Sequence, residues 1–318
     1  MSASSPTLLP QADTLSAVSA IRKNQTLLEP GLRHILSQCS LADATLSATI
    51  GGSMPVFGVN HDLVVKLFSS NHRDHFENEL ASLRTLASKT SFDIPQIRAS
   101  GTLETWSYLV MTRVRGTQLS SLWRDLPDAK KVTVCKNLGS SLAALHRLPV
   151  ATAKATVTWR TFVARQAERC VEHQRGRGVG ENLLAQIPDY IAPALAPIAA
   201  SPVVFLHTEL MLEHIFIDPD RLTIEGLIDF EPSMIGAAEY DFGAVPIFIS
   251  EGRPSLLRAF IRSYGYPWVP ASPRLLMTYL LLHRYSNLTW FLERLGPERA
   301  KTLTTLEDME KTWFSIES

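Results

Sequence analysis

The sequence has few cysteines, no excess of either charge and no hydrophobic run long enough to cross a membrane. Its three cysteines, Cys39, Cys135 and Cys170, are widely spaced and odd in number, which argues against a disulfide framework or a cysteine-metal cluster. Lysine plus arginine and aspartate plus glutamate number 31 each, so nothing favours a nucleic acid or an anionic membrane as partner. The most apolar segment, residues 275–282, meets His283 well short of a membrane span.

What remains is the composition of an ordinary globular protein. Hydrophobic residues make up 45% and charged residues 19% of the 318-residue chain. That length suffices for one large or two modest domains with proper cores. Residues 1–16 lack a basic start and a continuous apolar stretch, so no signal peptide is expected. We expect a soluble cytoplasmic protein without nucleic-acid or membrane partners.

The first third of the chain is rich in short β-type runs with few helices between them. Three strand candidates occur, at residues 45–50, 62–68 and 107–113. Residues 71–86 have the apolar spacing of a helix, and residues 14–38 have helical periodicity with a break expected near Pro30. This order predicts a small antiparallel sheet with one main helix packed on it.

Helical patterns dominate after residue 116. Four apolar residues repeat at helical spacing, namely Val134, Leu138, Leu142 and Leu145. Near the end of the chain, residues 274–295 are strongly apolar and predict another helix. The chain is therefore expected to join a β-rich first part to a helical remainder.

The most informative segment spans residues 203–240. It reads as a short apolar strand, a polar loop, a second strand, a turn and a third strand. An ionisable residue stands at each break: Glu209, His214 and Asp229. Loops held on a rigid scaffold are common places for chemistry, so these three side chains are the first candidates for a reactive or metal-binding site.

This segment resembles the catalytic segment of aminoglycoside phosphotransferases and related protein-kinase-like small-molecule kinases. That family carries His-Gly-Asp-Leu, an asparagine five residues beyond the aspartate, and an apolar strand that ends in aspartate. Three residues match this pattern: His207, Leu210 and Asp229. Three others depart from it, with Thr208 in place of glycine, Glu209 in place of the catalytic aspartate and His214 in place of asparagine. Within the family, the pattern looks most like the hygromycin phosphotransferase-like branch.

The resemblance implies an α+β, bilobal protein-kinase-like fold. A small antiparallel N-terminal lobe with a helical extension would occupy residues 1–113 and bind the nucleotide. A larger, mostly helical lobe would occupy residues 114–318 and hold the catalytic and substrate-binding groups. The hinge between the lobes would lie at residues 111–115.

Lys66 is the candidate for the phosphate-binding lysine. It lies between apolar neighbours in the run at residues 62–68, so its ammonium group needs an anionic partner or a path to solvent. In the family, such a lysine contacts the α- and β-phosphates and is held by a glutamate on the following helix. On a helical wheel Glu79 falls on the apolar stripe that includes Phe76, whereas Glu77 points away. We therefore predict that Glu79 is the partner of Lys66.

Other nucleotide contacts are expected from position along the chain. Gly51, Gly52 and Ser53 lie between two strand candidates, where kinases place their phosphate-covering loop. A plain hairpin turn is the alternative for these three residues. Met111 and Arg113 would contact the nucleotide from the hinge.

The remaining roles also follow from the resemblance. Glu209 would be the catalytic residue that orients or deprotonates the acceptor hydroxyl. Asp229 and His214 would bind the metal ion. Because an imidazole nitrogen suits Mn²⁺ better than Mg²⁺, Mn²⁺ would support activity at least as well as Mg²⁺. His207 and Asp241 would brace the loop structurally.

The function implied is transfer of phosphate from ATP, with GTP possible, to a hydroxyl of a small molecule, with Mg²⁺ or Mn²⁺ as cofactor. The acceptor would be an aminoglycoside or hygromycin-like antibiotic or a related metabolite. A catalytically silent, nucleotide-binding kinase fold is the first alternative, because the family pattern is altered at Glu209 and His214. A non-haem iron oxygenase is the second, because His207 and Glu209 imitate part of a two-histidine, one-carboxylate site.

Overall fold

The computed structural model describes residues 7–49, 52–149 and 158–317. It divides into two compact units. Unit 1 consists of Met1–Lys89, Asp93–Arg115 and Leu227–Pro232, and unit 2 of Thr90–Phe92, Gly116–Gly226 and Ser233–Ser318. The short segment Leu227–Pro232 thus packs with the first part of the chain although it lies far along the sequence.

Unit 1 is built on an antiparallel sheet of five strands in the order β1-β2-β3-β5-β4. Its strands are β1 (Leu46–Thr49), β2 (Val56–Val59), β3 (Leu63–Phe68), β4 (Ile97–Leu103) and β5 (Trp106–Thr112). Its helices are α1 (Leu15–Ile21), α2 (Gln25–Gln38) and α3 (Arg73–Leu86). The small antiparallel sheet with one helix packed on it is present as the β-rich runs predicted.

The two faces of β3 have different partners. Leu63, Val65 and Leu67 belong to the core cluster that includes residues of α1 and α2. Because side chains alternate along a strand, Lys66 lies on the opposite face. Phe76 of α3 packs there against Phe68, with ring centroids 5.7 Å apart. The alternation therefore directs one charged side chain of an otherwise buried strand toward α3.

The helical pattern at residues 14–38 is divided at a different place from the one expected. The break falls at residues 22–24, where the Asn24 side chain caps α2 by accepting from the backbone of Leu27. Pro30 lies inside α2, so the prediction of a break there is wrong. Glycine at position 31 lets Leu9 pack closely on this helix, since a Cβ there would clash with the Leu9 side chain.

Unit 2 is mostly helical. Its helices are α4 (Asp128–His146), α5 (Trp159–Arg175), α6 (Glu181–Leu184), α7 (Ile187–Ala200), α8 (Glu239–Phe242), α9 (Val245–Phe248), α10 (Pro254–Tyr264), α11 (Ser272–Leu282), α12 (Leu288–Arg294), α13 (Pro297–Lys301) and α14 (Leu306–Trp313). Its strands are β6 (Thr117–Gln118), β7 (Val203–Leu206), β8 (Ile215–Ile217), β9 (Ile224–Leu227) and β10 (Met234–Ala237), and the last residue of β9 is grouped with unit 1. They form two small sheets, β10-β7 and β6-β8-β9.

Helix α4 is the central helix of this unit. All four apolar residues of its predicted stripe are buried: Val134, Leu138, Leu142 and Leu145. Gly139 allows the backbone of α10 to approach, since a Cβ there would lie 2.3 Å from the carbonyl oxygen of Phe260. The sequence pattern therefore located the buried face of α4 correctly.

The apolar run at residues 274–295 is two helices and not one. Helix α11 ends at Leu282, and Asn287 caps α12 by accepting from the backbone of Trp290. Residues 283–287 connect the two helices, with His283 and Ser286 buried and Tyr285 exposed.

One stretch, Glu181–Ala200, is long and apolar enough to span a membrane by length and composition alone. A single stretch of this kind is weak evidence, because core helices pass the same test. Helix α7, which covers most of it, packs against α5 and α11 and buries Ile187, Tyr190, Ile191 and Ile198. Of the stretch, 33% is buried, so packing within unit 2 accounts for part of its apolar character.

Candidate active site

Three carboxylates surround the ammonium group of Lys66 in unit 1. Its Nζ lies 2.8 Å from Oε2 of Glu79, 2.9 Å from Oδ1 of Asp229 and 2.9 Å from Oε2 of Glu231. The structure thus brings together Lys66, Glu79 and Asp229, which the sequence had proposed for one site. Glu77, the rejected alternative, pairs instead with Arg73 and is 61% exposed.

The charges of this cluster shift one another's pKa values. Burial alone would lower the pKa of Lys66, but the three carboxylates raise it well above its ordinary value. Burial raises the pKa of Glu79 to about 7, although the charge of Lys66 opposes this. Carboxylates outnumber the lysine, and one oxygen from each of Glu79, Asp229 and Glu231 lies within 4.8 Å of the others. Such a donor set fits a divalent cation, which prefers carboxylate oxygens.

Glu231 is a member of the cluster that the sequence analysis missed. Its Oε1 lies 3.4 Å from Nδ1 of His75, and its backbone oxygen accepts a hydrogen bond from Nδ2 of Asn78 at 2.6 Å. Burial acts to raise the pKa of Glu231, but Lys66 and His75 outweigh it and the pKa is lowered. The sequence offered no periodic signal for Glu231, because Asp229 has a φ of +70° and the segment after β9 is not extended.

In the part of the chain that the structure describes, the other residues proposed to contact the nucleotide are not among the side-chain partners of Lys66. Gly51 lies outside the described residues. Gly52 and Ser53 are exposed in the connection between β1 and β2, and Gly52 has a φ of +117° that favours glycine. Met111 is buried in β5, whereas Arg113 is exposed and its backbone N–H donates to the oxygen of Asp62 at 2.7 Å.

In unit 2, Asp241 organises the loop that follows β7. It is fully buried, and it accepts hydrogen bonds from the backbone N–H groups of His207 at 2.9 Å and Thr208 at 2.6 Å. Nε2 of His146 lies 3.0 Å from the same carboxylate. His207 is buried as well, and its Nδ1 accepts from the backbone N–H of Glu209 at 3.3 Å. These contacts explain how a polar loop is held against an apolar interior.

Thr208 has a strained backbone within this loop. Its φ is +72°, in the left-handed region that a β-branched residue rarely adopts. Such a conformation costs about 1–3 kcal/mol and persists only where the surroundings enforce it. The family glycine at this position would adopt it without that cost.

Glu209 and His214 are joined through the backbone of the same loop. Nδ1 of His214 lies 2.9 Å from the carbonyl oxygen of Glu209. Because a carbonyl only accepts, Nδ1 carries the proton in the neutral ring and Nε2 holds the lone pair. This is the arrangement in which a histidine commonly binds a metal ion. Both side chains are partly exposed.

Comparison with known proteins places the chain among phosphotransferases. Residues 50–276 match the model of the phosphotransferase enzyme family, APH. Solved structures with the same fold include a mutant aminoglycoside 2'-phosphotransferase IIIa with GDP, at 20% identity and a TM-score of 0.66, covering 86% of this chain and 95% of that one. The streptomycin and ADP complex of an aminoglycoside phosphotransferase from Streptomyces rimosus is 18% identical, with a TM-score of 0.60, covering 80% and 98%.

These matches confirm the predicted protein-kinase-like fold and the predicted family, while the hygromycin-like branch stays a prediction. They exclude the iron-oxygenase alternative, which required a largely β barrel around the metal. Together with the cluster around Lys66, they identify the protein as a member of the phosphotransferase enzyme family and a small-molecule kinase.

Proposed function

We propose that the protein transfers the γ-phosphoryl group of ATP to a hydroxyl of an aminoglycoside or hygromycin-like antibiotic, or of a related metabolite. GTP is an alternative donor. The observation that carries the proposal is the three-carboxylate cluster around Lys66, in a chain whose residues 50–276 match the phosphotransferase enzyme family. A soluble enzyme in the cytoplasm would inactivate such an antibiotic where it acts, which would give resistance.

Unit 1 supplies the groups for the nucleotide. An ammonium group has three N–H donors, and Lys66 has three carboxylate partners. Contact with a phosphate therefore requires one carboxylate to withdraw. Asp229 is the candidate, since its side chain is 23% exposed compared with 1% for Glu79 and 8% for Glu231. Glu79 and Glu231 then keep Lys66 in place.

Asp229, once withdrawn, is the proposed ligand of the divalent cation, and His214 is proposed as a second ligand through Nε2. The cation would neutralise charge on the phosphates. His214 would keep its Nδ1 on the carbonyl of Glu209, which fixes the ring orientation. A nitrogen ligand predicts that Mn²⁺ supports activity at least as well as Mg²⁺.

Glu209 is the proposed residue that receives the acceptor. Its carboxylate would orient the hydroxyl and take its proton as the oxygen bonds to the γ-phosphorus and the bond to the bridging oxygen of the diphosphate breaks. Glutamate has the chemistry of the family aspartate, with a side chain longer by roughly 1.5 Å. Residues 114–318 would hold the acceptor, and residues 1–113 the nucleotide.

A catalytically silent nucleotide-binding protein is the second candidate. The observation that favours it is the departure from the family pattern at two positions, where Glu209 and His214 stand. Retention of Lys66 with its buried Glu79 partner favours an active enzyme, because an idle site has no use for a lysine buried among carboxylates.

An acceptor screen separates the two. Purified protein is incubated with ATP or GTP, with Mg²⁺ or Mn²⁺, and with a panel of aminoglycosides, hygromycin and other hydroxylated small molecules, and products are identified by mass spectrometry. A product heavier by one phosphoryl group, absent for Glu209→Ala, is the expected result. Nucleotide binding with no phosphorylated product would favour the silent alternative.

A further inference from the structure

His283 lies outside residues 50–276, which match the family, yet it contacts the loop that carries Glu209. It is buried, and its Nε2 lies 2.9 Å from the carbonyl oxygen of Thr208. Its Nδ1 accepts from the backbone N–H of Tyr285 at 3.3 Å. The two contacts require one tautomer, neutral with the proton on Nε2. Burial lowers the pKa of His283 to about 4, consistent with that neutral ring.

The carbonyl that His283 contacts belongs to the peptide bond immediately before Glu209. The N–H of that same peptide bond donates to Nδ1 of His207 at 3.3 Å. Two buried histidines therefore hold one peptide group: His283 contacts its carbonyl oxygen and His207 accepts from its N–H. Rotation of this peptide plane would reorient the Cα–Cβ bond of Glu209. The two hydrogen bonds therefore fix the direction in which the Glu209 side chain leaves the backbone.

These hydrogen bonds stabilise a backbone conformation of Thr208 that a β-branched residue rarely adopts. Thr208 has a φ of +72°, and its N–H donates to Asp241 at 2.6 Å. Asp241 therefore holds the peptide before Thr208, and His283 holds the peptide after it. Without the second contact, the strained residue could relax toward an ordinary φ and carry Glu209 with it.

His283 is itself held rigidly. Its ring stacks on Tyr240, with centroids 4.5 Å apart and planes 25° apart. The hydroxyl of Tyr240 accepts from the backbone N–H of Arg284 at 2.8 Å. The end of α11 at Leu282 is what turns His283 inward. Because the apolar run is divided into two helices, His283 lies just after α11 and contacts the loop that carries Glu209.

We propose that His283 is a positioning residue that fixes the peptide bond before Glu209 and so aims the Glu209 carboxylate at the acceptor hydroxyl. The catalytic part of this inference rests on the proposed function, whereas the positioning part does not. A misplacement of about 1 Å in a reacting group costs roughly 10²-fold in rate, so the contribution is large enough to measure.

Three variants test the proposal. His283→Phe keeps a ring to stack on Tyr240 but removes the donor, and His283→Gln keeps a donor of similar reach. Asn137→Leu is the matched control, because Nδ2 of Asn137 also donates to the carbonyl of a residue with positive φ, that of Leu222 at 2.7 Å. We expect His283→Phe to lower kcat roughly 10²-fold with an unchanged KM for the nucleotide, His283→Gln to recover most of the loss, and Asn137→Leu to leave kcat unaffected.

Hydrogen exchange of the loop provides a readout that needs no substrate. We expect the amide of Glu209 to exchange faster in His283→Phe than in the wild type or Asn137→Leu. Equal exchange, or a kcat that falls no further than in the control, would overturn the proposal. If the wild type phosphorylates no acceptor, the proposed function fails, and the exchange rates alone decide whether His283 positions the loop.

A spectroscopic measurement covers the case in which His283→Phe does not fold. In protein labelled with ¹⁵N at histidine, the proposal requires a neutral ring at position 283 with the proton on Nε2. A proton on Nδ1, or a doubly protonated ring at pH 7, would contradict the contact with Thr208.

Discussion

Nζ of Lys66 lies 2.9 Å from Oδ1 of Asp229, although 163 residues separate them in the sequence. The contact exists because Leu227–Pro232 packs with the first part of the chain. It places the proposed phosphate-binding lysine and the proposed metal-binding aspartate in one cluster. The same contact occupies a donor of Lys66 that a phosphate would need, so binding of nucleotide and release of Asp229 are expected to be linked.

Glu79 and Glu77 provide a matched pair of substitutions on α3. Glu79→Gln removes a buried charge from Lys66 and should raise the KM for nucleotide roughly tenfold or more, since hydrogen bonds to charged groups contribute about 1.5–3 kcal/mol. Glu77→Gln alters only an exposed pair with Arg73, which contributes little. Steady-state kinetics with varied ATP checks this, and equal KM values for the two variants would contradict the assigned partner.

Glu209 and Glu213 provide a second pair within one loop. Removal of a general base costs roughly 10²–10⁴-fold, so Glu209→Ala should remain folded, bind nucleotide and lose kcat by that factor. Glu213 is exposed, and its backbone oxygen accepts a hydrogen bond from Gln118 at 2.6 Å. Glu213→Ala should turn over normally. Normal turnover by Glu209→Ala would remove the assignment of Glu209 as the base.

His214 makes the metal preference testable. His214→Asn restores the oxygen ligand of the family pattern and should shift the preference toward Mg²⁺, the harder cation. Activity is measured across Mg²⁺ and Mn²⁺ concentrations for the wild type, His214→Asn and His214→Ala. Strict use of Mg²⁺ by the wild type, unchanged in His214→Ala, would show that this residue is not a ligand.

The buried His283 predicts a loss of stability in acid. Its pKa is lowered to about 4 in the folded protein from an ordinary 6.5, so between these values the unfolded chain binds a proton that the folded one excludes. The free energy of unfolding therefore falls as the pH falls through this window, by about 2 kcal/mol at pH 5. Urea unfolding at pH 7 and pH 5 measures it. His283→Phe should lose this part of the pH dependence, whereas replacing the exposed His34 by Gln should not; identical profiles for all three proteins would contradict it.

Local patterns in the sequence predicted the parts of the site that local geometry controls. Helical spacing selected Glu79 over Glu77, and the apolar neighbours of Lys66 in its strand indicated that its ammonium group needs an anionic partner. The run at residues 203–240 located the loop of Glu209 and His214 because each strand there ends at a polar residue. These features depend on neighbours within a few positions.

The parts that were missed depend on distant neighbours. Glu231 belongs to the site because it contacts Lys66 and His75, and no local sequence period connects it to either residue. His283 matters because it contacts Thr208, 75 residues earlier in the sequence. The apolar residues around it gave no sign that α11 ends there. Asn287, a good helix cap, was the one local sign that a second helix starts there. Pro30 was a misleading local sign, because α2 continues through it.

The most direct test of the central claim is the binding of a non-hydrolysable ATP analogue with Mn²⁺, measured by calorimetry. Lys66→Met is compared with the wild type and with Lys131→Met, a second buried lysine, whose Nζ donates to the carbonyl of Arg124 at 3.4 Å. The thermal unfolding of each variant is recorded first, because loss of Lys66 leaves buried carboxylates unpaired. We predict that the wild type and Lys131→Met bind the analogue and that folded Lys66→Met binds it at least about tenfold more weakly. Equal affinity in folded Lys66→Met, or no binding by the wild type, would contradict the assignment of this cluster as the nucleotide site.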